Sequence, residues 1–243
     1  MKKLKTILII SLSLNLITSF FVVKRIYLEH EAEKEVAANK VQQQNAKITY
    51  FLNRDELFES LPIDSNSIVF LGNSLTQSFE LAELFQNLKV KNRGIMGDAV
   101  KGVINRIGPI VRSNPKKIFI EIGINDLGAG VPKDTVLVRY KFLVDTLKAA
   151  LPQTKIYIQS LFPTEIHNQN FETYCTKEVN RDIVAINKAL SEFAISRKVI
   201  FIDTYSSFVL DGHLNSKYSV DGVHLNGAAY KLWTQILKPY VNE

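Results

Sequence analysis

The chain has 243 residues, 46% of them hydrophobic and 22% charged, the composition of an ordinary globular protein with one sizeable core. Its net charge of +6 comes from scattered Lys and Arg, with only short pairs such as Lys2-Lys3 and Lys116-Lys117, which reads as solvated surface and argues against nucleic-acid binding. The single cysteine, Cys175, excludes an internal disulfide and a Cys-pair metal site; the four histidines, His30, His167, His213 and His224, form no His-x-x-x-His or His-Glu-x-x-His pair, so chemistry without metal or cofactor fits better than a zinc hydrolase.

Taken in chain order, the first element is an uncharged run from Thr6 to Val23, with Lys2, Lys3 and Lys5 ahead of it and Lys24-Arg25 behind. As a helix it spans roughly 27 Å at about 1.5 Å per residue, close to the hydrocarbon thickness of a bilayer. Small residues suited to signal cleavage do not follow at once, and Val36-Ala37-Ala38 lies too far away. Residues 1–25 are therefore expected to be a cytoplasmic tip and an uncleaved transmembrane signal anchor. The basic residues ahead of the run place the amino terminus inside, which makes a single-pass protein with the rest of the chain on the non-cytoplasmic side.

Residues 26–50 are rich in Glu, Ala, Lys and Gln, which favour helix, and lack a sustained apolar heptad. A helical stalk is expected there rather than a dimerising coiled coil. Beyond it, residues 51–243 alternate apolar strands with amphipathic stretches. Strands are expected at Ser67 to Leu71, Leu88 to Asn92, Lys117 to Ile122, Lys155 to Gln159 and Val199 to Asp203, and helices at Asp98 to Arg112, Asp134 to Ala150, Lys177 to Arg197 and Gly227 to Val241. Such βαβ alternation predicts a three-layer α/β/α sandwich around a five-stranded parallel sheet. One long connection, Ser160 to about Thr176, follows the fourth strand and contains His167, a candidate substrate contact.

Candidate chemistry gathers where these strands end, the edge at which ligands bind in open α/β sheets. Ile68-Val69-Phe70-Leu71-Gly72-Asn73-Ser74-Leu75-Thr76 delivers a serine hydroxyl at the end of the first strand. Asn92-Arg93-Gly94-Ile95-Met96-Gly97-Asp98 brings a Gly-rich turn with bare backbone N–H groups, and Ile122-Gly123-Ile124-Asn125-Asp126 ends the third strand with a carboxamide. Asp221-Gly222-Val223-His224 sets a carboxylate three residues before an imidazole, a spacing suited to one side of a tight helical turn. Each has a plainer reading: a helix cap at Ser74, Asp98 capping the next helix, an Asx turn at Asn125-Asp126, a β-turn at Asp221-Gly222. A carboxylate pair of Glu121 with Asp126 has no glycosidase-like framework around it. His213, in Asp211-Gly212-His213-Leu214-Asn215, repeats part of the His224 block but leads into an exposed turn.

From Ser67 to Tyr240 these blocks resemble, in order, those of the SGNH (GDSL-type) serine hydrolases, named for a Ser, a Gly, an Asn and a His in separate blocks. The resemblance implies a flavodoxin-like strand order 2-1-3-4-5. It also implies that Ser74 is the nucleophile, that His224 and Asp221 complete a triad, and that Ser74 N–H, Gly97 N–H and the Asn125 side chain form the oxyanion hole. Asn73 stands where the name-giving motif has Asp, keeping the capping geometry but not the charge. The implied activity is hydrolysis of small acyl esters, acetyl above all, on glycans outside the cytoplasm. Alternatives are a lysophospholipase or thioesterase, and a non-catalytic domain that binds a glycan or tethers an envelope complex.

Overall fold

Five strands, β1 (Ile68–Gly72), β2 (Val90–Gly94), β3 (Lys117–Glu121), β4 (Lys155–Gln159) and β5 (Ile200–Ile202), pair in parallel in the order β2-β1-β3-β4-β5. The computed structural model describes residues 2–166 and 168–243, with the backbone alone at positions 2, 4, 6–18 and 20. The chain divides into two compact units, residues 1–50 and 51–243. Residues 2–50 of the first lie within one helix, α1 (Lys2–Ser60). The expected membrane span falls largely on positions whose side chains lie outside the described residues; among the described residues no helix is long and apolar enough to cross a membrane.

The second unit is the expected α/β sandwich. Central strands buried on both faces read as continuous apolar runs because helices cover each side. Val69, Leu71, Ile118, Ile120, Ile156 and Ile158 face one core layer and Ile68, Phe70, Phe119 and Tyr157 the other. The first layer is closed by α4 (Val100–Asn105), α5 (Gly108–Ser113), α7 (Lys133–Ala150) and α8 (Lys177–Arg197); the second by α2 (Ser74–Gln77), α3 (Leu81–Phe85) and α9 (Gly227–Asn242). A short α6 (Ile124–Gly128) follows β3. Under α9 the rings of Phe70, Phe119 and Tyr157 stack at 4.6 and 4.3 Å, each pair worth about 0.5–1.5 kcal/mol beyond its burial.

Three expectations are corrected. The single helix from Asp98 to Arg112 is two, α4 and α5, because Pro109 lacks an N–H and its ring crowds the carbonyl four residues back. The second strand runs Val90–Gly94, two residues later than expected at each end, with Leu88 left exposed. Lys117 is not solvated surface: fully buried, its ammonium donates to the carbonyls of Tyr240 (2.7 Å), Val241 (3.1 Å) and Glu243 (2.7 Å). Tyr240 and Val241 lie in the last turn of α9, whose carbonyls have no intrahelical partner, and Glu243 follows it, so one charge fastens the last helix to the sheet.

Candidate active site

Ser74, Gly97 and Asn125 follow the ends of β1, β2 and β3, and Asp221 and His224 precede α9. β1 stops at Gly72, and Asn73 caps α2 by accepting the Leu75 N–H at 2.9 Å, so Ser74 opens the helix with its own N–H unused by the helix ladder. The charge that Asp would carry at position 73 is not needed for that cap. Gly72 and Gly94 admit no larger residue: a Cβ on Gly72 would meet the Thr76 Oγ1 at 2.1 Å, and one on Gly94 the Gln77 N at 2.3 Å.

Ser74, His224 and Asp221 form one hydrogen-bonded chain. The Ser74 Oγ lies 3.0 Å from His224 Nε2, and His224 Nδ1 lies 2.7 Å from Asp221 Oδ2. Asp221 Oδ1 also accepts the backbone N–H groups of His224 (2.8 Å) and Val223 (3.1 Å). Burial acts to raise the Asp221 pKa, but the backbone and ring N–H of His224 outweigh it and leave the carboxyl below its ordinary value. The segment is not the helical turn that the spacing suggested: Asp221 Oδ1, accepting the Val223 N–H, makes it an Asx turn ahead of α9, with Gly222 at φ +95°. A Cβ on Gly222 would lie 2.9 Å from Asn168 and from the Cys175 sulfur, so this turn is packed tightly on the Ser160–Thr176 connection. Burial pushes the Cys175 thiol up to about 11, leaving it an inert packing group.

Asn125 sits in the first turn of α6, not in an isolated Asx turn. Its Nδ2 donates to the Asp98 carbonyl at 2.8 Å, and its Oδ1 accepts from the Tyr174 hydroxyl at 3.3 Å. Gly97, one residue before Asp98, is exposed at φ +76° with nothing near its missing Cβ. Asp98 does not cap α4 as the plainer reading had it. The Val100 N–H of that helix is taken by Asp126 Oδ2 at 2.9 Å, while Asp98 Oδ2 accepts from Arg106 Nε at 2.7 Å in a buried ion pair. Arg106 also donates to the Gly72 carbonyl at 3.1 Å. Burial raises the Asp98 carboxyl to about 6, with the attraction of Arg106 opposing it.

The structure thus brings together Ser74, Asp221 and His224, and ties Asn125 to the Asp98 carbonyl, one residue after Gly97. His213 lies apart, on a two-residue strand (His213–Leu214) with its Nδ1 3.2 Å from the Leu214 carbonyl. His167 lies outside the described residues. Glu121 is fully buried with neither carboxylate oxygen bonded, and makes no pair with Asp126. Sequence reasoning did not single out Arg106, Tyr174 or Phe171, whose ring lies edge-on to His224 at 5.4 Å. The length of the connection that carries Phe171 and Tyr174 was the one signal available.

A hydroxyl bonded to an imidazole that a carboxylate holds in place is the arrangement that activates serine for acyl transfer. Comparison with known proteins agrees. The model of the GDSL-like Lipase/Acylhydrolase family matches residues 70–232. Among curated proteins, N-acylneuraminate cytidylyltransferases of Streptococcus agalactiae serotypes III and Ia are 26% identical over 177 residues, 73% of this chain. The chain spans 39% of the length of those relatives. Among solved structures, a Streptococcus pneumonia protein named for platelet activating factor superposes with TM-score 0.73 at 26% identity, covering 84% of this chain and 99% of that one. An acetylxylan esterase from Geobacillus stearothermophilus shares the fold with TM-score 0.59 at 18% identity, over 74% of this chain and 96% of its own.

Proposed function

The chain belongs to the GDSL-like lipase/acylhydrolase family, and from that premise we propose that it is a carboxylic-ester hydrolase that removes small acyl groups, acetyl above all, from carbohydrate outside the cytoplasm through an acyl-enzyme on Ser74. The observation that carries the reading is the continuous Ser74–His224–Asp221 hydrogen-bonded chain.

In this reading Ser74 Oγ attacks the ester carbonyl carbon while its proton passes to His224 Nε2. Asp221, held ionised by its N–H donors, fixes the Nδ1–H tautomer and favours the imidazolium that forms. The carbonyl oxygen becomes an anion facing the N–H groups of Ser74 and Gly97 and the second Nδ2 hydrogen of Asn125; one such donor is worth about 3–4 kcal/mol in hydrolases where it has been removed. The tetrahedral centre collapses as His224 protonates the leaving alkoxide. Water, deprotonated by the same imidazole, then attacks the acyl-enzyme and frees Ser74.

The carbohydrate assignment draws on the names of the compared proteins, which concern N-acylneuraminate and acetylxylan. The location draws on the sequence: the uncharged Thr6–Val23 run between basic flanks supports an anchor with the esterase domain outside. A fluorophosphonate probe should label Ser74, and hydrolysis of p-nitrophenyl esters should fall steeply beyond about four acyl carbons, as expected of a short pocket. Activity that instead rises with chain length would turn the reading to a lysophospholipase or thioesterase. Absence of labelling would leave a non-catalytic domain.

A further inference from the structure

We propose that Tyr174 is a positioning residue for the reaction, holding the Asn125 carboxamide in the one orientation that offers a hydrogen to the oxyanion; this rests on the reading of Asn125 given above. A carboxamide has two faces, one that only accepts and one that only donates, and a half-turn about its last bond exchanges them. In the wrong orientation Asn125 would present an oxygen to a developing negative charge and repel it.

Two partners select the orientation. The Asp98 carbonyl can only accept, so the group facing it at 2.8 Å is Nδ2. The Tyr174 hydroxyl donates to Oδ1 at 3.3 Å on the other side. With one Nδ2 hydrogen spent on Asp98 and the oxygen spent on Tyr174, the second Nδ2 hydrogen is left for substrate. Both partners are themselves held. Asp98 is locked by its buried ion pair with Arg106, which also binds the Gly72 carbonyl two residues before Ser74. The Tyr174 ring lies against α6 so closely that a Cβ on Gly128 would be 2.2 Å from it, and Phe171 packs edge-on to it at 5.6 Å. Burial raises the phenol pKa, which keeps the hydroxyl a donor across the working pH range. The connection Ser160–Thr176 therefore reaches both halves of the machinery, with Phe171 at His224 and Tyr174 at Asn125.

Tyr174→Phe keeps the ring against Gly128 and removes only the hydroxyl. With p-nitrophenyl acetate and the full chain, it should lower kcat about threefold to tenfold, the worth of one neutral hydrogen bond, with KM changed less than about twofold. In an Asn125→Ala background the same substitution should have no further effect, a non-additivity that a merely structural role would not produce. An unchanged kcat in Tyr174→Phe, or an equal loss in both backgrounds, would overturn the proposal. Asn125→Ala alone should lower kcat about a hundredfold to a thousandfold. If it does not, the oxyanion reading itself fails and Tyr174 falls with it, whereas a normal Asn125→Ala loss with a silent Tyr174→Phe removes Tyr174 only.

Discussion

The Ser74 hydroxyl lies 3.0 Å from Nε2 of His224 although 150 positions separate them in the chain. That contact joins the first strand end to the turn before the last helix, so the Ser74–His224–Asp221 hydrogen-bonded chain is complete only when both have packed on the sheet. Ser74→Ala should accordingly leave a folded protein with the wild-type melting temperature, no covalent labelling by a fluorophosphonate, and at least about a thousandfold less esterase activity. Turnover near wild type would remove Ser74 from the nucleophile position.

His224 and His213 sit in similar local sequences, Asp-Gly-Val-His-Leu-Asn and Asp-Gly-His-Leu-Asn, but only His224 touches both Ser74 and a carboxylate. His213→Ala should retain most activity, and His224→Ala should lose at least about a thousandfold. Steady-state kinetics of the two variants side by side check this; a reversed order would reassign the base.

Glu121 gives the fold a pH dependence of its own. Burial raises its pKa from 4.5 to about 8 with no donor to offset the cost of charge. Between those values the folded chain holds a proton that the unfolded chain has released, so stability falls as pH rises, by up to ~1.4 kcal/mol per pH unit from this group. Glu121→Gln cannot ionise and should flatten that decline. Urea unfolding at pH 5, 6.5 and 8 checks it, and parallel pH profiles for the two proteins would mean that Glu121 is stabilised as an anion.

The proposed anchor is tested by fractionation. The full chain should sediment with membranes and be cut by protease added from the non-cytoplasmic side, whereas removal of residues 1–25 should release the esterase into the soluble fraction. A full chain that stays in solution without detergent would refute the anchor.

By itself the sequence determined the class of fold and the residues that could do chemistry. Runs such as Ile118-Phe119-Ile120 must be buried on both faces, which requires helices on each side of a parallel sheet. Ser74, Asn125 and His224 stand out because each follows a strand end or precedes a helix within a few residues, where local turn chemistry can be read from neighbours. Tertiary structure alone decided what those neighbours could not express. Arg106 pairs with Asp98 from across a helix boundary, Tyr174 reaches Asn125 over 49 positions, and Lys117 is buried by the carbonyls of a helix more than 120 positions later. No periodicity marks such residues. A hydrogen bond is specified by the position and direction of both partners, and for partners on different elements those are set by how the layers pack.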